Sequence, residues 1–218
     1  MNILITAGPT REAIDPVRYI SNRSSGKMGY SLCQAALDRG HHVTLISGPV
    51  SLTPPVGAEV LNVISAQDMY AAVERHIVGM DVAIFSAAVA DYRPVDVATQ
   101  KIKKSTDSMT LRLERTPDIL GSARQAFGYT GLLIGFAAET ENLIANATSK
   151  LQRKACDMVI ANRVDIPGTG FDSDLNEVIL CLPDQPPVEL AKDSKAAIAV
   201  RLVEQIERMA GSPPNHHP

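Results

Sequence analysis

The chain has 218 residues, 45% of them hydrophobic and 21% charged, with 21 Lys and Arg against 24 Asp and Glu for a formal net charge of -3. That length suits one domain, or one with an appendage, and can bury a substantial core. Basic charge comes only in local clusters, which argues against a nucleic-acid binder, and no apolar stretch approaches the roughly 20 residues that span a bilayer.

The amino-terminal run MNILITAGPT lacks the cationic lead and long apolar core of a signal peptide. It reads instead as a strand over residues 2–7. SGKMGYSLCQAALDRG (25–40) follows as a helix ending at Gly40, with Cys33 inside it, and HHVTLIS (41–47) as the next strand. After a Pro-rich connection come a short strand, VLNVI (60–64), and a helix opened by Ser65 with Asp68 three residues on, a capping-box start. DVAIFSAAVADY (81–92), GLLIGFAAET (131–140) and DMVIANRV (157–164) are further buried strands, and helices are expected to begin near Thr116-Pro117 and Thr140 with hydroxyl caps. Residues 172–190 read as a hairpin and 193–210 as an amphipathic helix. The tail 211–218 is expected to be disordered, its His216 and His217 belonging to a frayed terminus rather than a metal site.

Continuous apolar strands alternating with helices predict an α/β fold: a doubly wound, Rossmann-like, mostly parallel sheet with a carboxyl-terminal β-hairpin addition, expected to form a single domain over 1–210. Cys33, Cys156 and Cys181 are odd in number, far apart and without a CxxC pair. They predict free thiols in or near the core, no disulfide framework or zinc site, and a cytoplasmic location.

Ligands in such sheets collect at the carboxyl ends of the strands. Here those ends are small-residue polar clusters: TAGPT, SAAVADY, GFAAET and ANRV. The first differs from a dinucleotide site, because no GxGxxG follows the strand and LISGPV ends the second strand without an acid, against a nicotinamide- or flavin-dependent oxidoreductase. A long loop runs from Gly8 to about Ser25, expected to be anchored by Ile14, Val17, Tyr19 and Ile20. It leads into SNRSSGKMGY, where Gly26 and Lys27 resemble a phosphate loop but Met28 replaces the hydroxyl that would hold magnesium. Ser24 or Ser25 is expected to cap the helix, with Gly26 opening the first amides to a phosphate. Lys101, Lys103 and Lys104 suggest a mobile basic flap between two strands, and Lys150 and Lys154 share a helix face. Together the basic clusters suggest a polyanionic ligand such as a nucleoside triphosphate.

In order, ITAGPTREAIDPVRYISNRSSGKMG, AAVADYRP, KIKK, TPDIL, GFAAET and the KLQRK segment followed by VIAN closely resemble the phosphopantothenate-cysteine ligases, or phosphopantothenoylcysteine synthetases, of coenzyme A biosynthesis. The resemblance spans about residues 2–180. It implies a two-step ligation: 4'-phosphopantothenate attacks CTP, releasing pyrophosphate and leaving an acyl-cytidylate, and L-cysteine then displaces CMP to give 4'-phosphopantothenoylcysteine. By motif it assigns Asn22 and Lys101 as catalytic, Asn22 holding the acyl-cytidylate through hydrogen bonds to its carbonyl or carboxyl-derived oxygen and Lys101 closing over the nucleotide phosphates. It lines the CTP site with Phe85, Ser86, Ala87, Asp91, Pro117, Asp118, Ile119, Leu120, Phe136, Lys150 and Lys154, and gives Asp91 to Mg2+. The acyl substrate falls to Asn22, Ser24, Ser25, Gly26 and Ala88. A homodimer is implied, and because no flavin-dependent decarboxylase domain precedes Met1, a freestanding form coupled functionally to a separate phosphopantothenoylcysteine decarboxylase is expected. The residues show no pyrimidine-specific pairing, so ATP stays open as the nucleotide.

Overall fold

The computed structural model describes residues 1–104, 108–139, 141–163 and 173–211. Thr140 and the tail carrying His216 and His217 lie outside the described residues. The chain runs β1 (Asn2–Ala7), β2 (Arg11–Ala13), β3 (Tyr19–Ser21), α1 (Lys27–Asp38), β4 (His42–Ser47), β5 (Glu59–Asn62), α2 (Ala66–His76), β6 (Val82–Phe85), β7 (Tyr92–Pro94) and β8 (Leu113–Arg115). It continues α3 (Ile119–Gln125), β9 (Leu132–Glu139), α4 (Leu143–Arg153), β10 (Met158–Arg163), β11 (Leu175–Cys181), β12 (Val188–Ser194) and α5 (Lys195–Ala210).

Eight strands form one sheet in the order β12-β11-β10-β9-β6-β1-β4-β5. From β5 to β10 all pairings are parallel, and the β11–β12 hairpin adds antiparallel to β10. Alternation along β1 explains why its apolar run is unbroken. Ile3 and Ile5 pack on one face with Leu32 of α1 and Ile198 and Leu202 of α5. Leu4 points to the other, with Met69 and Val73 of α2, Ile119 of α3 and Leu151 of α4. Both faces are covered, as continuous hydrophobic strands require, and each such side chain contributes about 1.5–3 kcal/mol when fully buried. No described helix is long and apolar enough to cross a membrane.

From β1 the chain crosses to β4 and β5 on one side, then returns to β6 on the other, so the order reverses between β1 and β6. At this point the strand ends remain tied: Pro9 bridges Ala88, and the Ala88 N–H donates to the Gly8 carbonyl at 2.9 Å. That junction is where a doubly wound sheet opens a crevice.

Several boundaries differ from the sequence reading. The expected strand 81–92 ends at Phe85, because the Ser86 and Ala87 N–H groups turn back to the Thr6 carbonyl and hydroxyl. Neither Ser24 nor Ser25 caps α1. The N-cap is Gly26, at φ 78 and without a side-chain cap, while Ser24 Oγ accepts from Gly26 N–H itself at 3.3 Å. A Cβ at Gly26 would sit 2.8 Å from Val50 Cγ1 and 3.4 Å from Gly8 Cα, so close packing selects glycine there. Helix α3 begins after Asp118, whose carboxylate accepts from Gly121 N–H at 2.9 Å, leaving Pro117 outside the helix; α4 begins after Asn142.

The long loop after β1 contains the β2–β3 ribbon, and its anchors are polar rather than apolar. Val17 and Tyr19 are 59% and 49% exposed, whereas Thr10, Glu12 and Asp15 are buried. Glu12 Oε1 accepts from Ala66 N–H at the start of α2, and Thr10 Oγ1 from Ala90 N–H. Directed bonds to distant backbone fix a ribbon that has too little apolar surface to bury.

Candidate functional site

A cleft of about 720 Å³ opens at the carboxyl ends of the central strands, within the size range of small-molecule sites. Phe85, Ala87, Asp91, Phe136 and the four residues Pro117 to Leu120 all line it, as do Lys150 and Lys154. Segments far apart in sequence thus meet at one wall, with Ile119 and Leu120 buried.

Ser86 plays a different part from the one expected. It is absent from the lining, and its hydroxyl donates to the Thr6 carbonyl at 2.6 Å. A Cβ on Gly29 of α1 would lie 2.6 Å from Ser86 Oγ, so Ser86 marks the close approach of α1 to the sheet.

The cleft also holds residues the sequence reading passed over. Asn146, Ser149 and Arg153 of α4 flank the two lysines, and Arg115 faces them from β8. The α4 residues were legible: positions 146, 149, 150, 153 and 154 follow the spacing of one helix face. Arg115, directly before TPDIL, carried no such signal. Among the described residues, the side chains of Arg115 and Arg153 make no hydrogen bond or ion pair, whereas Lys150 Nζ donates to the Phe136 carbonyl at 2.5 Å and Lys154 pairs with Asp118. Burial pushes the Asp118 carboxyl up, but the Lys154 ammonium and the Gly121 N–H pull it further down, leaving it below the ordinary value. The cleft therefore stays net cationic around an ionised cap.

Asn22 lies just beyond β3, and its side-chain amide donates to the Ala88 carbonyl at 3.0 Å and the Val89 carbonyl at 3.1 Å. Val89 lines the cleft, so Asn22 is fastened to the cleft wall from the other side of the switch point. Two carbonyl acceptors use both amide hydrogens. What Asn22 presents outward is its oxygen, an acceptor, whereas the hydrogen bonds expected from it to an acyl oxygen would need a donor. Ala88 itself contributes backbone: its N–H meets Gly8, and its carbonyl takes Thr10 N–H as well as Asn22. Ser24, Ser25 and Gly26 lie at the start of α1, next to Gly8, outside the cleft lining.

Lys101 is exposed and lies outside the cleft lining. The arm that carries it leaves β7 and returns through β8, which pair as an antiparallel ribbon, as expected for a flap between two strands.

Among the described residues, no cation engages the exposed carboxylate of Asp91 at the cleft rim, whose backbone carbonyl accepts Thr116 N–H at 3.0 Å. Among the described residues no three His, Cys, Asp or Glu side chains gather to hold a metal. One carboxylate suits Mg2+, which usually rests on one or two carboxylates with substrate phosphates and water supplying the other ligands.

Residues 1–209 match the family described as DNA/pantothenate metabolism flavoprotein C-terminal domain. The chain is 49% identical over 212 residues to the coenzyme A biosynthesis bifunctional protein CoaBC of Vibrio vulnificus, covering 96% of this chain and 53% of that protein. To CoaBC of Bacillus subtilis it is 44% identical over 210 residues, covering 96% of this chain and 52% of the relative. The chain thus spans about half the length of the curated relatives it matches. A crystal structure of the C-terminal domain of CoaBC superposes with a TM-score of 0.79 at 42% identity, covering 95% of this chain and 94% of the other. The DNA/pantothenate metabolism flavoprotein of Streptococcus pneumoniae superposes at 0.81 with 26% identity, covering 96% and 99%.

Proposed function

Because the chain belongs to the DNA/pantothenate metabolism flavoprotein C-terminal domain family, we propose that it joins 4'-phosphopantothenate to L-cysteine in coenzyme A biosynthesis, through an acyl-cytidylate made from CTP. The observation that carries the reading is the shared cleft: of the residues assigned to the nucleotide by motif, all but Ser86 and Lys101 line one cavity, and Asn22 is bonded beside it to the carbonyls of Ala88 and the lining residue Val89.

In the first step a carboxylate oxygen of 4'-phosphopantothenate attacks the α-phosphorus of CTP, and the bond to the bridging oxygen breaks to release pyrophosphate. A free carboxylate is a poor electrophile, and the mixed anhydride supplies the leaving group it lacks. The barrier lies in bringing anions together, so fixed cations lower it. Arg115, Lys150, Arg153 and Lys154 supply that charge from the cleft walls, and Lys101 from the arm. Mg2+, held by Asp91 and the nucleotide phosphates, would add further positive charge there.

In the second step the cysteine amine attacks the acyl carbon, the carbon–oxygen bond to CMP breaks, and the amine gives up a proton. Asn22, with its N–H groups held by Ala88 and Val89, offers its oxygen to the N–H of the incoming amine. The start of α1 at Ser24, Ser25 and Gly26 holds the phosphate of the acyl substrate, where first-turn amides carry no side-chain cap. The protein works as a homodimer in the cytoplasm, its product passing to a phosphopantothenoylcysteine decarboxylase.

The test is pyrophosphate release with 4'-phosphopantothenate, L-cysteine and Mg2+, run in parallel with CTP, ATP, UTP and GTP, with the amide product identified by mass spectrometry. CTP should support release that depends on phosphopantothenate. If none of the four nucleotides supports release, the ligase reading fails, and preference for ATP would replace the cytidylate with an adenylate.

A further inference from the structure

Lys101 is carried on an arm that has little apolar surface to hold it. Val95 and Val97 are 37% and 54% exposed, and Lys101, Lys103 and Lys104 all face solvent. Yet the arm is tied to the β2–β3 segment by backbone hydrogen bonds. Ile102 N–H donates to Asp15 Oδ2 at 3.1 Å, and the Ile102 carbonyl accepts from Arg18 Nη2 at 3.0 Å. One ion pair therefore takes both sides of a single residue's backbone, next to Lys101. A second tie, Ala98 N–H to the Ile14 carbonyl at 3.0 Å, joins the same two segments.

Asp15 is 3% exposed and accepts from more than the arm. Its Oδ1 takes the Val17 and Arg18 N–H groups at 2.8 and 2.9 Å, and its Oδ2 takes Arg18 Nε and Nη2 at 3.0 and 2.5 Å. One oxygen shapes the turn between β2 and β3; the other faces the guanidinium and the arm. The Arg18 guanidinium holds the carboxyl well below the usual carboxylate range despite its burial, so the pair is charged at neutral pH.

The placement matters because of what lies at the other end of the ribbon. Asp15 sits at its turn and Asn22 just past its base, separated by the three-residue pairing of Ala13 with Tyr19 through Arg11 with Ser21. At about 3.3 Å per residue this is a spacer of about 10 Å. Polar networks of this kind specify geometry more than they add stability.

We propose that Asp15 is a positioning residue for Lys101: its carboxylate, with Arg18, clamps the arm to the turn of the β2–β3 ribbon and so sets the distance between Lys101 and the Asn22 end of the same ribbon. This rests on the ligase reading for what Lys101 does, but the clamp itself can be tested without substrate.

Asp15→Asn separates the two functions of the carboxylate. The amide oxygen can still serve Val17 and Arg18 N–H, while the amide nitrogen sets a donor against the guanidinium and Ile102 N–H. In hydrogen exchange on the substrate-free protein, Ile102 and Ala98 should exchange at least about tenfold faster in Asp15→Asn, with β1 and β6 unchanged; unchanged exchange at Ile102 would overturn the clamp. In pyrophosphate release, Asp15→Asn should slow the wild-type background about tenfold and have no further effect on Lys101→Ala. An equal loss in both backgrounds would make Asp15 a structural residue and overturn the proposal. Should Asp15→Asn fail to fold, Ile102→Pro removes the arm's donor to Asp15 while leaving Asp15 and Arg18 in place, and the same exchange at Ala98 and the same cycle with Lys101→Ala decide. If wild-type protein releases no pyrophosphate with any nucleotide, the ligase reading fails and the exchange result still judges the clamp.

Discussion

Asn22 spans the switch point of the sheet and grips the Ala88 carbonyl, 66 residues away in sequence, with the same amide that holds Val89. The grip fixes the side chain so that only its oxygen remains for a ligand. Asn22→Ala should therefore release pyrophosphate at close to the wild-type rate and accumulate the acyl-cytidylate, with amide formation down about 10²-fold, the scale of a lost positioned hydrogen-bonding group. Asn22→Asp should be worse than alanine, because a carboxylate oxygen would replace the donor facing two carbonyls. Rapid-quench separation of the intermediate from the final amide distinguishes the steps. A variant that releases no pyrophosphate would move Asn22 out of the second step.

Gly26 is the second position where backbone geometry is set by a contact. At φ 78 an alanine costs about 1–2 kcal/mol through its own conformation, and its Cβ would also stand 2.8 Å from Val50 Cγ1. The two costs separate experimentally. Gly26→Ala should lower the urea-unfolding free energy by more than 1 kcal/mol, and adding Val50→Ala should be less damaging than the sum of the single changes, because the methyl that clashes is gone. Strict additivity would mean that the φ cost alone selects glycine.

The parallel sheet, the terminal hairpin and most of the residues that line the cleft were legible in the sequence, and for different reasons. Strands buried on both faces announce themselves as apolar runs, and the motif residues at their ends share a cleft because parallel strands all end on one side. Ser86 stands outside the cleft lining because its hydroxyl turns to the Thr6 carbonyl, and a motif position says nothing about which way a side chain turns once the strand stops at Phe85. The anchors of the β2–β3 ribbon were missed for a related cause. Thr10, Glu12 and Asp15 look like surface residues in a polar loop, and only their partners at Ala90, Ala66 and Ile102 reveal why they are buried. Local caps failed where a tertiary contact decided the geometry, as at Gly26, and held where the partner was three residues away, as at Ser65 with Asp68.

The three cysteines are free and buried, as their spacing suggested. Burial pushes the thiols of Cys33 and Cys156 up to about 12, and that of Cys181 also upward. At pH 8 the first two would be about 1 part in 10⁴ thiolate, the reactive form. Native protein should give almost no reaction with a disulfide reagent over an hour at that pH, and three equivalents once unfolded in urea. Fast labelling of the native protein would show that a thiol is reached through an opening the fold permits.

Asp118 joins a helix cap to a cleft cation, and the two roles can be pulled apart with pH. Burial disfavours its charge, but Lys154 and the Gly121 N–H favour it more, so its folded-state value lies below 3.8. A depressed carboxyl stabilises the fold above its unfolded value and loses that contribution as pH falls through the folded one, so the effect should fade below about pH 4. With the side chain 57% exposed, solvent screens most of the ion pair. Asp118→Asn keeps an oxygen for Gly121 N–H and should cost less than 1 kcal/mol at pH 7, whereas Asp118→Ala loses the cap and should cost about 1 kcal/mol more. The difference between wild type and Asp118→Asn should shrink as pH falls below 4, while that between Asn and Ala should persist, because an amide cap does not titrate. Chemical-denaturation curves at pH 7, 5 and 3 measure both, and an Asn variant that behaved like Ala would mean that the charge, not the cap, holds the start of α3.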